Sequence, residues 1–427
     1  MGHLGQEAES TGAPPGIEYQ GSSAARAVAT PHSDQVGPTE GSPAYSLSLF
    51  RARRSFGAIL ALLFVGWLLG GGPRAIGRSR TSQPATSATV PRPEPRASFP
   101  ERDARAPEVP TAPGVFGSAA GCATVVSSGQ RLPRAPGSAR FASWNLHWFP
   151  DGKPGQSGSG ANLKWLGCAL SWLDADVVAV QEVKQTPEAQ QALLAVLSEL
   201  NRLSGARFTA RVDDCKSRVP QHVGLIWNEA RAPARDFETV AALNPHGDAC
   251  QSQLRPGLAA RFRFPGGLDL DVVSAHFKSM ADQHGFALRS SSFGAVAGVL
   301  RALTEKTHDS DFLLLGDLNT MGCDECSPKV SAAAELLAAE KLLGGGGLRL
   351  VPADAAGSEL YAGHLTLLDH AVAAAAMREL SPDARVHVAG ACAAGATAPS
   401  GRAAKRVRSE LSDHCPIVLD LSDRDLD

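Results

Sequence analysis

Five hydrophobic runs of the sequence each carry polar residues at one end. A buried charge is costly unless it is paired or binds a metal, so five such ends in one chain predict a single shared site at the ends of β-strands. Carboxylates, amides and imidazoles are together the groups that promote metal-assisted attack of water on a phosphate. The residues are Asn145, Glu182, His276, Asp317, Asn319, Asp413 and His414.

The hydrophobic runs themselves predict the strands that must position these side chains. Residues 176–183 and 312–318 are apolar almost throughout, which is typical of strands buried on both faces of a sheet. Between such runs, segments with helical spacing recur, for example 187–203, in which Leu193, Leu197 and Leu200 share one face. The alternation predicts an α/β fold with sheets stacked on each other and helices outside.

The 427 residues divide into four parts by composition. Residues 1–50 lack any apolar period and are predicted to be a disordered N-terminal extension. Residues 51–72 place three arginines before an apolar run, which is the layout of an export signal peptide or a membrane anchor. The run 56–69 reaches only ~21 Å as a helix, short of the ~30 Å hydrocarbon core, so the two readings stay open. Residues 73–118 form a Pro-rich linker, and 119–427 form the folded domain.

The charge and the cysteines limit the function classes. A formal net charge of −2 provides no overall electrostatic footprint for nucleic acid, although local contacts remain compatible with it. All eight cysteines fall within 119–427, an even number that favours disulfides in an oxidising compartment, with the pairing open. Cys323 and Cys326 are predicted to form a local disulfide, because a zinc site would need a second closely spaced pair.

Six short motifs follow one another in the folded part: Ser143-Trp-Asn-Leu146, Val180-Gln-Glu-Val183, Ser274-Ala-His-Phe-Lys278, Gly316-Asp-Leu-Asn319, Leu368-Asp-His370 and Ser412-Asp-His414. On these motifs, residues 138–421 resemble the endonuclease/exonuclease/phosphatase family of metal-dependent phosphoesterases, which includes pancreatic deoxyribonuclease. Each motif is weak alone, but six in the family order are specific. The resemblance implies a four-layered α/β sandwich, with two mixed β-sheets packed between helices.

The resemblance also implies the ligands of a divalent cation. Glu182 would be the main ligand, assisted by Asn145, and Asp413 could contribute to a metal position. Mg²⁺ is the expected cation, with Mn²⁺ or Ca²⁺ as alternatives, because hard cations prefer carboxylate and amide oxygens.

Catalytic and substrate-binding roles follow from the same resemblance. Asp317 would orient or deprotonate the attacking water, and Asn319 would contact the phosphate. His414, set by the carboxylate of Asp369, would stabilise charge on the phosphoryl oxygens or act as an acid or base, and His276 would protonate the leaving oxygen. The two candidates for substrate binding are Arg255 and Lys278.

The predicted function is hydrolysis of phosphoester bonds by an exported nuclease or phosphodiesterase, with nucleic acid as a candidate partner. The protein would be secreted, periplasmic or tethered to a membrane through 56–72. The alternatives are a phosphatase of small or lipid phosphates and a non-catalytic, surface-displayed binding module on the same fold. The basic run Arg402, Lys405, Arg406 and Arg408 is predicted to be a solvated loop, with a grip on phosphate as the alternative.

Overall fold

The computed structural model describes residues 114–155, 160–215, 221–246, 254–361, 364–393 and 401–427. The predicted N-terminal extension, the signal or anchor at 51–72 and residues 73–113 of the predicted linker lie outside the described residues. In the part of the chain that is described, no helix is long and apolar enough to cross a membrane.

Two six-stranded mixed sheets form the centre of the domain. The strand order is β13-β14-β1-β2-β4-β3 in the first sheet and β5-β6-β7-β8-β12-β9 in the second, and β10-β11 form a separate hairpin. Each large sheet has one parallel pair, β1 with β2 and β7 with β8. The strands are β1 Ser138–Phe149, β2 Val177–Val183, β3 Phe208–Val212, β4 His222–Asn228, β5 Ala234–Val240, β6 Gly257–Arg263, β7 Asp269–His276, β8 Phe312–Asp317, β9 Leu348–Val351, β10 Glu359–Tyr361, β11 His364–Thr366, β12 Asp369–Ala374, β13 His387–Val388 and β14 Ile417–Ser422.

The helices begin at polar residues that cap them. The side chains of Asn162, Thr186, Asp282 and Ser331 each accept a hydrogen bond from a backbone N–H three residues later, which satisfies a donor left free by the first helical turn. The helices are α1 Ala119–Ser127, α2 Leu163–Leu173, α3 Pro187–Ser204, α4 Gln283–Thr307, α5 Ala332–Gly345 and α6 Gly401–Glu410. Helix α2 contacts α1 and α3, and α4 contacts α5, so the helices form two groups.

The two sheets pack against each other and are tied by buried polar groups. Strand β2 contacts β7 and β8 across the interface between the sheets. Gln181 on β2 donates from Nε2 to Oγ of Ser143 at 3.2 Å and to Oγ of Ser274, on the second sheet, at 3.3 Å. The architecture is therefore the predicted α/β fold of two mixed sheets between helices.

Some elements differ from the sequence prediction. The mostly apolar segment 365–373 would be expected from its sequence to form one strand, but it is divided between β11 and β12, because β11 pairs with β10 whereas β12 pairs with β8 and β9. The basic run predicted to be a loop lies on helix α6, whose Val407 is buried. Helix α1 and strands β5 and β9 were not predicted, since their short sequences carry weak periodicity.

The described cysteines are in disulfides. Cys323 bonds Cys326 as predicted. Cys122 bonds Cys168, joining α1 to α2, and Cys392 bonds Cys415, next to the start of β14. Within the described part of the chain no cysteine is free.

Candidate active site

Three of the predicted residues lie side by side on adjacent strands of the second sheet. Asp317, the last residue of β8, is in register with His276 on the parallel strand β7 and with Asp369 on the antiparallel strand β12. The carboxyl ends of β7 and β8 and the beginning of β12 therefore meet at one edge of the sheet. At Gly316 a Cβ atom would lie 1.9 Å from the carbonyl oxygen of Ala275, so only glycine permits this close strand approach.

The first sheet supplies Asn145 and Glu182. Strand β2 shifts its register around Glu182 against both of its neighbours, the parallel strand β1 and the antiparallel strand β4. The backbone of Glu182 has φ 62°. Its carboxylate Oε2 accepts a hydrogen bond from the backbone N–H of Trp148 at 2.9 Å. Left-handed backbone at a non-glycine residue costs of the order of 1–3 kcal/mol and concentrates at functional sites. Around this site, left-handed backbone is found at Glu182, Asn319, His147 and Trp148.

Asp317 is the centre of the site. Its Oδ2 accepts from Asn145 Nδ2 at 2.9 Å and lies 3.4 Å from His276 Nε2 and 3.8 Å from His414 Nε2. Its Oδ1 accepts from the backbone N–H of Asn319 at 3.1 Å. Burial raises the pKa of Asp317, while the nearby charge of His414 acts in the opposite direction. The carboxyl group is consequently more basic than an exposed aspartate.

Asp369 holds His414 in place. Its Oδ2 lies 2.8 Å from Nδ1 of His414 and accepts from the Ser358 hydroxyl at 2.7 Å. The carboxylate requires the proton on Nδ1, so Nε2 of His414 faces Asp317. Burial by itself would lower the pKa of His414, but the carboxylates of Asp369 and Asp317 outweigh it and hold that pKa well above its ordinary value. The two carboxylates therefore favour the charged form of His414.

His276 has the opposite charge preference. It is 4% exposed, and its Nε2 lies 3.9 Å from Glu182 Oε1 as well as near Asp317. Burial lowers the pKa of His276, and the positive charges of Arg255, His414 and Lys278 lower it further. A lowered pKa favours the neutral imidazole, and the role of His276 as the acid for the leaving oxygen stays a prediction.

The oxygen atoms at the predicted metal position fit a hard cation. Among the described residues, Asp413 Oδ1 has no hydrogen-bond partner although it is buried, while its Oδ2 lies 3.4 Å from His147 Nε2. Asn145 Oδ1 accepts from the backbone N–H of His147 at 3.0 Å, its one hydrogen bond within the described part of the chain, and keeps a lone pair. Together with the carboxylate of Glu182 these are the ligand types that Mg²⁺ uses, usually one or two carboxylates completed by water.

A denser cluster of acidic side chains lies outside the candidate active site. Among the described residues, three acidic or imidazole ligand atoms come within 4.8 Å of one another only at Asp309, Asp311 and Asp427. The candidate active site thus has fewer charged ligands than a dedicated all-protein metal cage.

Of the remaining predicted site residues, Asn319 lines the cleft, whereas Arg255 and Lys278 do not. Asn319 is 3% exposed, donates from Nδ2 to the carbonyl of Phe277 at 3.2 Å and lines the same cleft as Asp317. Arg255 donates to Gln221, and burial lowers its pKa although Glu182 and Asp317 act to raise it. Lys278 is half-buried, and burial lowers its pKa as well. Neither Arg255 nor Lys278 belongs to the cleft lining, so their role in substrate binding stays a prediction.

The active-site cleft, a depression of about 480 Å³, is lined by Glu182, His276, Asp317, Asn319, Asp413 and His414 together with residues that the sequence did not single out. Among the latter are His147, Glu359, Lys405 and Arg408. His147 could have been noticed as an ionisable residue two positions after Asn145. Glu359 carries no such signal, because it comes from the β10-β11 hairpin and reaches the site by a backbone bridge to His414.

Three solved structures with a similar fold carry the name of a family or of a function. An endonuclease/exonuclease/phosphatase from Bacteroides vulgatus is 16% identical, with 66% of this chain and 98% of that chain covered and a TM-score of 0.45. The mannosyl-6-phosphatase of Bacteroides thetaiotaomicron is 14% identical, with 66% and 99% covered and a TM-score of 0.44. The human Nocturnin catalytic domain with bound sulfate is 14% identical, with 68% and 96% covered and a TM-score of 0.42.

The first of these structures carries the name of the family that the sequence motifs predicted. No family model matches the sequence, and no curated protein matches it. At identities below 25% and TM-scores below 0.5, the matched structures carry no weight for the activity or substrate of this chain.

Proposed function

We propose that the domain hydrolyses phosphoester bonds with the help of a divalent cation, and that phosphodiesters, including those of nucleic acids, are its substrates. The observation that carries the proposal is the convergence on Asp317. Two imidazoles lie 3.4 Å and 3.8 Å from its carboxylate, with pKa values shifted in opposite directions, at the edge of a cleft that also contains Glu182. Separated protonation states within one site are typical of acid–base chemistry.

The chain's own residues can carry out the hydrolysis as follows. Asp317, made more basic by burial, accepts a proton from a water molecule whose oxygen forms the new bond to phosphorus. His414 remains charged and donates a hydrogen bond to a non-bridging phosphoryl oxygen, where negative charge develops. The bond from phosphorus to the leaving oxygen breaks, and that oxygen takes a proton from solvent.

The cation would be held by Glu182 and Asn145, with Asp413 as a further oxygen ligand. When bound, it would supply Lewis-acid stabilisation of charge on the phosphoryl group. Asn319, with its backbone fixed by Asp317, lies where its side chain can face the same group.

The decisive experiment measures hydrolysis by the purified full chain with Mg²⁺ and then with EDTA. The substrates are plasmid DNA, RNA, bis-p-nitrophenyl phosphate and p-nitrophenyl phosphate. We expect metal-dependent cleavage that prefers diesters and falls about 10²–10⁴-fold in Glu182→Gln and in His414→Ala. His308→Asn, an exposed helix-capping position outside the cleft lining, is the matched control.

Full activity in Glu182→Gln would contradict the proposed role of that carboxylate. A folded protein without hydrolysis in Mg²⁺, Mn²⁺ or Ca²⁺ would refute the enzyme itself and favour a binding module. Preferential cleavage of the monoester would instead identify a phosphatase.

We further propose that the domain acts in an oxidising compartment after export. The disulfides Cys122–Cys168, Cys323–Cys326 and Cys392–Cys415 support this, because reducing compartments keep such thiols free. Thiol titration of the denatured protein, isolated from its natural source under acid quench, should detect no free thiol. Stoichiometric reactive thiols would argue for a reducing compartment.

A further inference from the structure

Three cations in the wall of the active-site cleft have no acidic partner among the described residues. Lys405 and Arg408 lie on α6, and Lys153 lies on the segment after β1; all three line the cleft together with Glu182 and His414. None of them takes part in an ion pair of the described chain, and Nε of Arg408 is buried without a hydrogen-bond partner. The nearby carboxylate of Asp151 is already occupied by Lys184. Unpaired cations beside a phosphate-binding site are suited to a further anion.

Helix α6 is anchored to the domain, so the backbone positions of Lys405 and Arg408 in the cleft wall are fixed. Val407 is buried, and the guanidinium of Arg406 lies 5.8 Å from the ring centroid of Trp165. The carbonyl of Glu410 accepts from the backbone N–H of Asn162 at 2.7 Å. Arg406 also donates to the Glu410 carboxylate at 3.0 Å. Arg406 therefore helps to fix the helix and does not line the cleft, unlike Lys405 and Arg408.

The helix is also tied to the catalytic residues. Two residues after α6, the Ser412 hydroxyl donates to the carbonyl of Asn145 at 2.6 Å and accepts from the backbone N–H of His414 at 3.0 Å. Lys405 and Arg408, three positions apart, have their Cβ atoms about 5–6 Å from each other on one face of the helix. Their distance from the scissile position is thereby set by the fold.

We propose that Lys405 and Arg408, with Lys153, bind a non-scissile phosphate of a polynucleotide next to the phosphate that is cleaved. This inference rests on the proposed function and gives its substrate class. A substrate with a single phosphate would leave these cations unpaired, whereas a polynucleotide has a second phosphate on the neighbouring nucleotide. A lipid surface fits less well, because no large exposed hydrophobic side chain lies on α6.

The test measures binding of a fluorescein-labelled single-stranded oligonucleotide to the full chain by anisotropy, in EDTA so that no cleavage occurs. We expect Lys405→Ala/Arg408→Ala to weaken binding at least tenfold and to reduce the slope of log affinity against log salt by ~0.7, the value for one phosphate contact on a single strand. Lys405→Ala alone, at an exposed position, should reduce the slope by about half as much. The matched control is Arg301→Ala/Lys341→Ala, which removes two exposed cations from α4 and α5.

Equal weakening by the control pair, or unchanged affinity in the α6 variants, would overturn the inference. So would binding to vesicles containing phosphatidylinositol phosphates, lost in the α6 variants, without binding to the oligonucleotide. Because the assay needs no catalysis, it is separate from the proposed function. A chain that binds the oligonucleotide through α6 but hydrolyses no phosphoester refutes only that function. A chain that cleaves bis-p-nitrophenyl phosphate while its α6 variants bind normally refutes only the subsite.

Discussion

At the scale of single residues, the pKa values of two buried histidines beside one carboxylate are shifted in opposite directions. His414 touches the carboxylate of Asp369 at 2.8 Å and is held charged. His276 has an unpartnered Nδ1 and cationic neighbours, and burial keeps it neutral. The two pKa values shift in opposite directions because the neighbouring charges of the two histidines differ. The extent of burial does not explain it, since both side chains are almost fully enclosed.

Asp369→Asn should therefore lower kcat by about 10²–10⁴-fold without unfolding the protein. The amide removes the carboxylate that raises the pKa of His414, so the pKa falls and less imidazolium is present at neutral pH. The measurement is kcat against pH with bis-p-nitrophenyl phosphate, in which the activity maximum should move to lower pH. A uniform loss of activity with an unmoved profile would show that Asp369 has only a structural role.

At the scale of the element, β8 has a buried carboxylate near each end. Asp317 closes the strand and lies in the cleft, whereas Asp311 immediately precedes it and is 2% exposed. Asp311 Oδ1 has no hydrogen-bond partner in the described part of the chain, and its surroundings include Glu379, Asp309, Asp427 and Asp425. Burial, followed by these acidic neighbours, raises the pKa of Asp311 to about 8.

This carboxyl should make the domain less stable as the pH rises. Between pH 4 and 8 the folded chain keeps a proton on Asp311 that the unfolded chain releases, so the free energy of unfolding decreases with pH. From pH 5 to 8 the decrease has an upper bound of about 4 kcal/mol, at ~1.4 kcal/mol per pH unit. In Asp311→Asn the dependence should be flatter, while Asp324→Asn, at an exposed aspartate, should leave it unchanged.

Urea unfolding at pH 5, 6, 7 and 8 in EDTA measures the effect. The chelator matters because Asp309, Asp311 and Asp427 bring ligand atoms within 4.8 Å of one another, where a cation would neutralise them. If the free energy of unfolding depends on pH in the same way in the wild type and in Asp311→Asn, Asp311 is not the group responsible for that dependence.

At the scale of the whole molecule, the candidate site exists only because two sheets meet. Asn145 and Glu182 come from the first sheet, and His276, Asp317 and Asp369 come from the second. The hydrogen bond from Asn145 to Asp317 crosses between the sheets, as does the one from Gln181 to Ser274. Any change that moves one sheet against the other would thus separate the predicted metal ligands from the predicted base.

The sequence by itself determined the local features of this protein. Hydrophobic runs that stop at polar residues predicted the strands before Glu182, His276 and Asp317, because the period of a strand is a property of one short segment. The Cys323–Cys326 disulfide was predicted for the same reason, since its two residues are three positions apart. The motif resemblance added Asp369, which no periodicity would have indicated.

Only the tertiary structure decided which of these residues meet. Asn145 and Asp317 are 172 positions apart, and His414 and Asp369 are 45 apart, so their contact depends on strand order and on packing between the sheets. The same packing brought Glu359 and the cations of α6 into the cleft lining, which does not include Arg255 or Lys278. Such placement is set by long-range packing of many side chains, and a local pattern contains no information about it.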